Sequence, residues 1–367
     1  MRKKDFSCKL RNKEFYSNLE RVEKYTQDIW QKDTLHHPEF TLHGIQHSKN
    51  VVENISKIIP VELLNVLSER DRYYLCCACY LHDIGMLFVP DKLLPLPLDT
   101  VGKFVVRKIH GTASRYMIHN FKEISSIFNK TDRSIIGKLC ELHTGDISEM
   151  IESNLKHFPK HFPLLVSILR ICDACDVTKK RFPERLFYLM KLESEPESYL
   201  QWAPMQYIDE VSLEEREIVV HAIVPAISEN SIKFLIEQMV IQKLNEEVSQ
   251  VNPILEEYGF VYGTVKSEVS SDEYLSPDEK IADLISNSKR EEKPLELKIL
   301  SYLSKTPMRE AELAEKIGIS TMALRNRISP LIKKGMVYIR ENNKEKIYEF
   351  LPVDKRKEFL EDNDEKD

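Results

Sequence analysis

Apolar residues recur at helical spacing through most of the first half of the chain. From Glu14 to Lys32, Phe15, Leu19, Val22, Tyr25, Ile29 and Trp30 stand among charged residues at the three-to-four spacing of an amphipathic helix. A polar, histidine-containing stretch, Asp33–Gly44, separates it from a second helix, about Gln46–Ile59, with Val51, Ile55 and Ile58 or Ile59 on one face. The same period predicts helices over Val61–Ser68, Arg70–His82, Gly102–Asn120, Lys130–His143 and Phe162–Asp173, with short connections and no alternating strand signal. After Arg181 the pattern changes. Gln206–Val211 and the β-branched Glu217–Val224 predict strands, Asn230–Tyr258 a long amphipathic helix, and Phe260–Val265 another strand.

Ser267–Lys293 is rich in Ser, Asp, Glu and Lys and reads as a linker, with one short helix around Ile281, Leu284 and Ile285. Beyond it, Leu295–Ser304, Arg309–Ile317 and Thr321–Lys334 predict three helices, with Gly318-Ile319-Ser320 turning into the third and Gly335 ending it. Met336–Arg340 and Ile347–Leu351 predict two strands around a polar tip, Glu341-Asn342-Asn343. Three helices and a hairpin are the pattern of a winged helix-turn-helix. The expected architecture is mainly α: a helical core over 1–181, a small α/β appendage packed on it over 182–266, a linker over 267–293, a winged helix over 294–352 and an acidic tail over 353–367.

Composition supports this without narrowing the function much. A chain of 367 residues is longer than one core needs, and 42% hydrophobic with 31% charged residues describes a folded protein. The net charge of −6 argues against nucleic-acid binding over the whole surface and leaves a local basic patch open. Met1-Arg2-Lys3-Lys4 leads into no apolar segment, and the best apolar run, Phe162–Cys172, is too short for a bilayer and contains Arg170. A cytoplasmic protein without a membrane partner is expected. Cys76, Cys77 and Cys79 lie in an apolar stretch, and Cys172 and Cys175 have no second pair at zinc-finger spacing, so the cysteines read as small buried hydrophobes.

Imidazoles and carboxylates are the donors of hydrolytic metal sites, and they occur here in the order His47, His82-Asp83, His110, His143, Asp173. The adjacent pair sits at the end of an apolar helix, with Gly85 letting the chain turn. Arg107, one helical turn before His110, and Arg181, beyond Asp173, are candidate phosphate holders, since guanidinium offers a planar fork. Lys179 and Lys180 are less specific candidates. Asp176, one turn after Asp173, is a candidate to contact substrate or to orient a bound water or a ligand histidine, and Asp146 is a weaker one.

Leu81-His82-Asp83-Ile84-Gly85 resembles the signature of HD-domain phosphohydrolases, Phe40–Ser48 resembles their N-terminal histidine motif, and Leu169–Asp176 resembles their closing R-x-x-D-x-x-D helix. The resemblance covers about Leu35–Arg181 and is nearest to the HD-CE type of bacterial conflict systems. It implies that His47, His82, Asp83 and Asp173 hold a first divalent ion, with Asp83 bridging, and that His110 and His143 serve a second. One or two ions per site are expected, drawn from Mn, Fe, Mg, Zn, Ni or Co, activating water against a nucleotide or other phosphate ester. In the related cyclic-nucleotide phosphodiesterases a general-acid histidine stands four residues before the first ligand, which assigns His43 here. No Gly-Tyr-Pro motif follows the later histidines, which argues against a cyclic-di-guanylate phosphodiesterase.

In the third C-terminal helix Thr321, Arg325, Asn326 and Lys333 are polar, while Leu324, Ile328, Leu331 and Ile332 face inward, as in a recognition helix. Arg340, Lys344 and Lys346 on the wing could contact phosphates. Glu310, Glu312, Glu315, Glu341 and Glu345 dilute that charge. DNA or a protein partner, a second copy of the chain included, is therefore expected at this domain. The alternatives to a phosphohydrolase are a nuclease of the same type and a ligand-sensing DNA-binding regulator.

Overall fold

The computed structural model describes residues 10–32, 44–88, 98–145, 147, 157–181, 203–275, 299, 302–303, 307–333, 337–342 and 345–350, with the side chains of 98–108 and some in the C-terminal unit excepted. The chain divides into two compact units, Met1–Pro90 with Gly102–Leu284, and Asp91–Val101 with Ile285–Asp367. It is mainly α-helical, as expected.

The first unit runs α1 (Lys13–Lys32), α2 (Ile45–Ile58), α3 (Val61–Asn65), α4 (Glu69–Leu81), α5 (Leu98–Asn120), α6 (Lys122–Ser125), α7 (Lys130–Leu142) and α8 (Phe162–Ala174). Two of these helices form its centre because they are apolar nearly all round. In α8 every residue from Leu164 to Cys172 is buried, and in α4 every residue from Tyr73 to Leu81. Around them, α1, α2 and α7 pack on α4, while α2 and α7 also pack on α8. A capping box starts α4: the Ser68 hydroxyl accepts from the Asp71 amide, and the Asp71 carboxylate accepts from the Ser68 amide.

The appendage carries β1 (Ile208–Glu214) and β2 (Glu217–Pro225), an antiparallel hairpin turned at Glu215-Arg216, and β3 (Val265–Asp272), which lies parallel to β2. A parallel neighbour needs a long crossover. It is supplied by α9 (Glu229–Ile236), a π-helical turn at Glu237–Ile241 and α10 (Gln242–Glu256), and α10 packs on α8. Tyr262 anchors the return, its buried hydroxyl donating to the carbonyl of Ile58 at 3.0 Å.

Three expectations need correcting. The third strand is Val265–Asp272, so residues 267–272, assigned to the linker, belong to the sheet. Phe260 and Tyr262, expected in that strand, precede it; both are buried and pack edge to face, 4.9 Å apart. The helix expected over Asn230–Tyr258 is broken in register by the π turn. The first strand begins at Ile208, after a 3₁₀ turn over Ala203–Tyr207.

The second unit contains β4 (Met308–Arg309), α11 (Glu310–Ile317), α12 (Thr321–Lys333), β5 (Val337–Asn342) and β6 (Glu345–Phe350), with sheet order β4-β6-β5. Ile299, Leu303, Leu313, Leu324, Ile328 and Tyr348 build its core. The hairpin pairs as far as Asn342 with Glu345, so its tip is shorter than expected and Glu341 and Asn342 are strand residues. Among the described residues no helix is long and apolar enough to cross a membrane.

Gly85 sets the closest approach in the helical unit. A Cβ there would lie 2.1 Å from the His110 carbonyl oxygen and 2.5 Å from the Ser114 amide nitrogen. Backbone atoms cannot swing aside as a side chain can. Gly85→Ala should therefore destabilise the protein by about 1–3 kcal/mol or more, as overpacking does. Urea unfolding of the two proteins measures this, and an unchanged midpoint would contradict it.

Candidate metal centre and nucleic-acid interface

Helix ends bring the predicted donors together. His82 caps the C-terminus of α4, His143 caps the C-terminus of α7, and Asp173 lies in the last turn of α8. His47 stands in the first turn of α2, and His110 within α5. Asp83 leaves the helix with φ −103° and ψ 0°, which turns its carboxylate into the space between them. Ser114 locks this turn, donating to the His82 carbonyl at 2.6 Å and accepting from the Gly85 amide at 2.8 Å.

The Asp83 carboxylate faces two sets of nitrogens. Its Oδ2 lies 3.2 Å from His47 Nε2 and 3.3 Å from His82 Nε2, and Asp173 Oδ1 lies 3.1 Å from His47 Nε2. Its Oδ1 lies 3.1 Å from His110 Nε2 and 3.4 Å from His143 Nε2. His47, His82 and Asp83 form one group whose donor atoms all lie within 4.8 Å of one another, and Asp83, His110 and His143 form another. All five of these residues are buried.

The opposite ring nitrogens identify which atoms carry protons. Nδ1 of His82 bonds the Cys79 carbonyl at 3.0 Å, and Nδ1 of His143 bonds the Cys140 carbonyl at 2.5 Å. A carbonyl only accepts, so both Nδ1 atoms are donors and, in the neutral rings, both Nε2 atoms present lone pairs. Nδ1 of His47 meets Asp176 Oδ2 at 2.6 Å, while Asp176 Oδ1 accepts from Asn50 at 2.9 Å. With neutral rings, bare nitrogens would face each other at 3.0 Å between His47 and His82, alongside two carboxylate oxygens. That donor set fits a divalent cation, with the outer bonds in place that orient ligand histidines. Buried His/Asp groups of this kind could hold a metal ion.

Electrostatics agree. Burial opposes protonation of His47 and His82, yet carboxylates overcome it. Hydrogen bonds to Asp173, Asp176 and Asp83 raise His47 well above an ordinary imidazole, and the charges and hydrogen bonds of Asp83 and Asp173 push His82 up to about 9. Burial dominates at His143, which falls to about 4. Burial also works against ionising Asp173, but hydrogen bonds from His47 and His82 hold it well below the usual carboxylate range.

A cavity of about 470 Å³ opens over this cluster. It is lined by Asp83, His110, His143 and Asp173, by the cations Arg181 from beyond α8 and Lys243 from α10, and by the apolar Met205, Met239, Val240 and Leu244. Arg181, the expected phosphate holder, thus lines the cavity, braced by its Nη1 donating to the Asp176 carbonyl at 2.8 Å. Asp176 does not line the cavity. Its two oxygens are engaged by His47 and Asn50, which places it to orient a histidine rather than to face the cavity. The residues from Met239 to Glu247 were missed as site residues, because their amphipathic period shows a buried face without showing what that face meets. His43, Asp146 and the side chain of Arg107 lie outside the described residues, as do His36 and His37. Cys77, Cys79, Cys140, Cys172 and Cys175 are free and buried, as expected of small core residues, but Cys76, expected to be free like them, is disulfide-bonded.

In the winged unit Thr321, Arg325, Asn326, Arg340 and Lys346 are exposed, while Leu324 and Ile328 face the core. Lys344, and the side chains of Leu331 and Lys333, lie outside the described residues. Arg325 is already engaged. Its guanidinium makes a fork with Glu310, Nη2 donating to Oε2 at 2.9 Å, and the Tyr348 hydroxyl reaches Glu310 Oε1 at 3.3 Å.

A family model of the HD-CE type matches residues 37–250, and a winged helix-turn-helix DNA-binding model matches residues 293–338. The first covers more than half of the chain, which therefore belongs to the HD-CE family. No curated protein matches it. Family and buried cluster together indicate an HD-type metal-dependent hydrolase joined to a DNA-binding fold.

Protons and metal compete for the same nitrogens. Carboxylates raise both His47 and His82, the latter to about 9, so metal binding should release protons at neutral pH. Mn²⁺ affinity should then climb as pH rises through neutrality towards about 9, where His82 gives up its proton. Calorimetry in buffers of different ionisation enthalpy measures both effects, and no proton release at pH 7 would refute the assignment. Asp176→Asn should weaken Mn²⁺ binding by about 10–100-fold, the cost of losing an outer partner of a ligand histidine.

Proposed function

We propose that the chain hydrolyses a phosphate ester or anhydride of a nucleotide or related small ligand at a centre of two divalent ions. His47, His82, Asp83 and Asp173 would hold the first, and Asp83, His110 and His143 the second. The observation that carries this is the division of one carboxylate, Asp83 Oδ2 toward His47 and His82 and Oδ1 toward His110 and His143. Bound there, the ions would lower the pKa of a water and polarise the phosphoryl oxygens.

The chain's own residues do the rest. Arg181 and Lys243 hold phosphate oxygens, and Met205, Met239, Val240 and Leu244 receive the organic part of the substrate. His43, four residues ahead of His47, donates a proton to the leaving alkoxide as its bond to phosphorus breaks and the water oxygen bonds in line on the opposite side. A cavity of about 470 Å³ lies in the range of small-ligand sites, which favours this reading over a nuclease.

The winged helix supports a second role, DNA contact through Thr321, Arg325, Asn326, Arg340 and Lys344, either to place the enzyme or to report the ligand state of the helical unit. Glu310 competes with DNA for Arg325 in this reading.

A screen of nucleotides, cyclic dinucleotides and single-stranded DNA with and without Mn²⁺ should yield hydrolysis of a phosphate ester or anhydride that Asp83→Ala abolishes and Lys243→Ala weakens mainly through KM. Full activity in Asp83→Ala would place the chemistry elsewhere. For DNA, Arg325→Ala should weaken binding, whereas Glu310→Gln should strengthen it by up to about fivefold, since an exposed ion pair contributes about 0.2–1 kcal/mol. Fluorescence anisotropy across a salt series reads both, and a weaker Glu310→Gln complex would argue against the competition.

A further inference from the structure

Arg170 has an acceptor for every donor it carries, and the chemistry above makes no use of it. It stands on α8 one turn before Asp173, 3% exposed. Its Nε donates to Glu247 Oε2 at 2.9 Å and its Nη2 to Glu247 Oε1 and Gln250 Oε1, each at 3.0 Å. Its Nη1 donates to the Gly145 carbonyl at 2.9 Å and the Leu142 carbonyl at 3.2 Å. A guanidinium has five N–H donors, and each has its own acceptor here.

Those acceptors fall in two places. Glu247 and Gln250 lie on α10, which brings Lys243 and Leu244 to the cavity, continuing from the π turn that brings Met239 and Val240. Leu142 and Gly145 bracket the turn that carries His143 and Thr144, both cavity residues. The Leu142 carbonyl lies in the last turn of α7, where no helical partner remains for it. Glu247 itself borders the cavity, and both its carboxylate oxygens accept from Arg170.

We infer that Arg170 is a positioning residue that joins the substrate side of the site to the metal side: it holds the His143 turn and α10 at a fixed separation, so that His143 Nε2 stays on Asp83 while the α10 wall stays over the cavity. The inference rests on the metal-centre reading, and it makes α10 part of the site and not an accessory to it. Only a planar group with donors on three sides can satisfy two carbonyls, a carboxylate and an amide at once. An ammonium is a point charge and cannot.

Mn²⁺ titration of the full-length chain tests this, because Coulomb's law and positioning predict opposite signs. Arg170→Gln removes a buried positive charge close to the cluster, which by charge alone should tighten cation binding. Positioning predicts about tenfold weaker binding or more, the usual cost of losing an outer support. It also predicts faster amide exchange over residues 142–145 and in α10, with the helical circular dichroism unchanged. Arg170→Lys keeps the charge and should still bind Mn²⁺ several-fold more weakly than wild type; if Arg170→Gln does not fold, this variant decides. Folded variants with wild-type or tighter Mn²⁺ affinity overturn the positioning role and leave the metal centre standing. A wild-type chain that binds no Mn²⁺ overturns both.

Discussion

A carboxylate 4% exposed, set among four imidazoles that are themselves buried, is a demand for positive charge. Asp83 is that carboxylate, and the helical unit is arranged to meet it. Three helices, α4, α7 and α8, finish at this point, and helix C-termini carry partial negative charge. Asp173 adds a full one. Taking such a group out of water is costly unless a counter-charge comes with it. The carboxylates raise His47 and His82, so a proton on either ring answers part of that demand, and a divalent cation would answer more of it. The first donor set, with Asp173, is the more negative. The second shares only Asp83, and its His143 stays neutral.

Around this point, much of the arrangement follows from steric necessity. Gly85 allows α5 to come within contact of the turn after Asp83, and Ser114 then bonds the two ends of that turn. The apolar faces of α4 and α8 hold the helix ends in register from behind. The appendage closes the open side through α10, and the crossover required by the parallel β2–β3 pair is what delivers that helix.

The chemical half of the site was legible because its donors are distinctive residue types at fixed offsets from helix ends, as His82-Asp83 and Asp173 with Asp176 illustrate. The wall opposite was not. Met239, Val240 and Leu244 look like any core stripe, and the π turn shifts their phase in a way that period counting does not register. β3 was displaced in the sequence reading because its outward residues are Lys, Glu and Ser, the composition of a linker, while its pairing partner lies more than forty residues earlier. The fork between Arg325 and Glu310 crosses two helices and has no local signature, so Arg325 looked freer than it is.

The bonds behind the imidazoles differ in kind, and this governs how the centre can change over time. His82 and His143 each direct Nδ1 to a main-chain carbonyl three residues earlier, at Cys79 and Cys140. Every residue type supplies that carbonyl, so these two rings keep their tautomer whatever side chains drift through positions 79 and 140. His47 depends instead on the side chain of Asp176. Its basicity is therefore open to adjustment by a single codon, and descendants of this chain that need a weaker or stronger hold on the ion have their simplest route at residue 176.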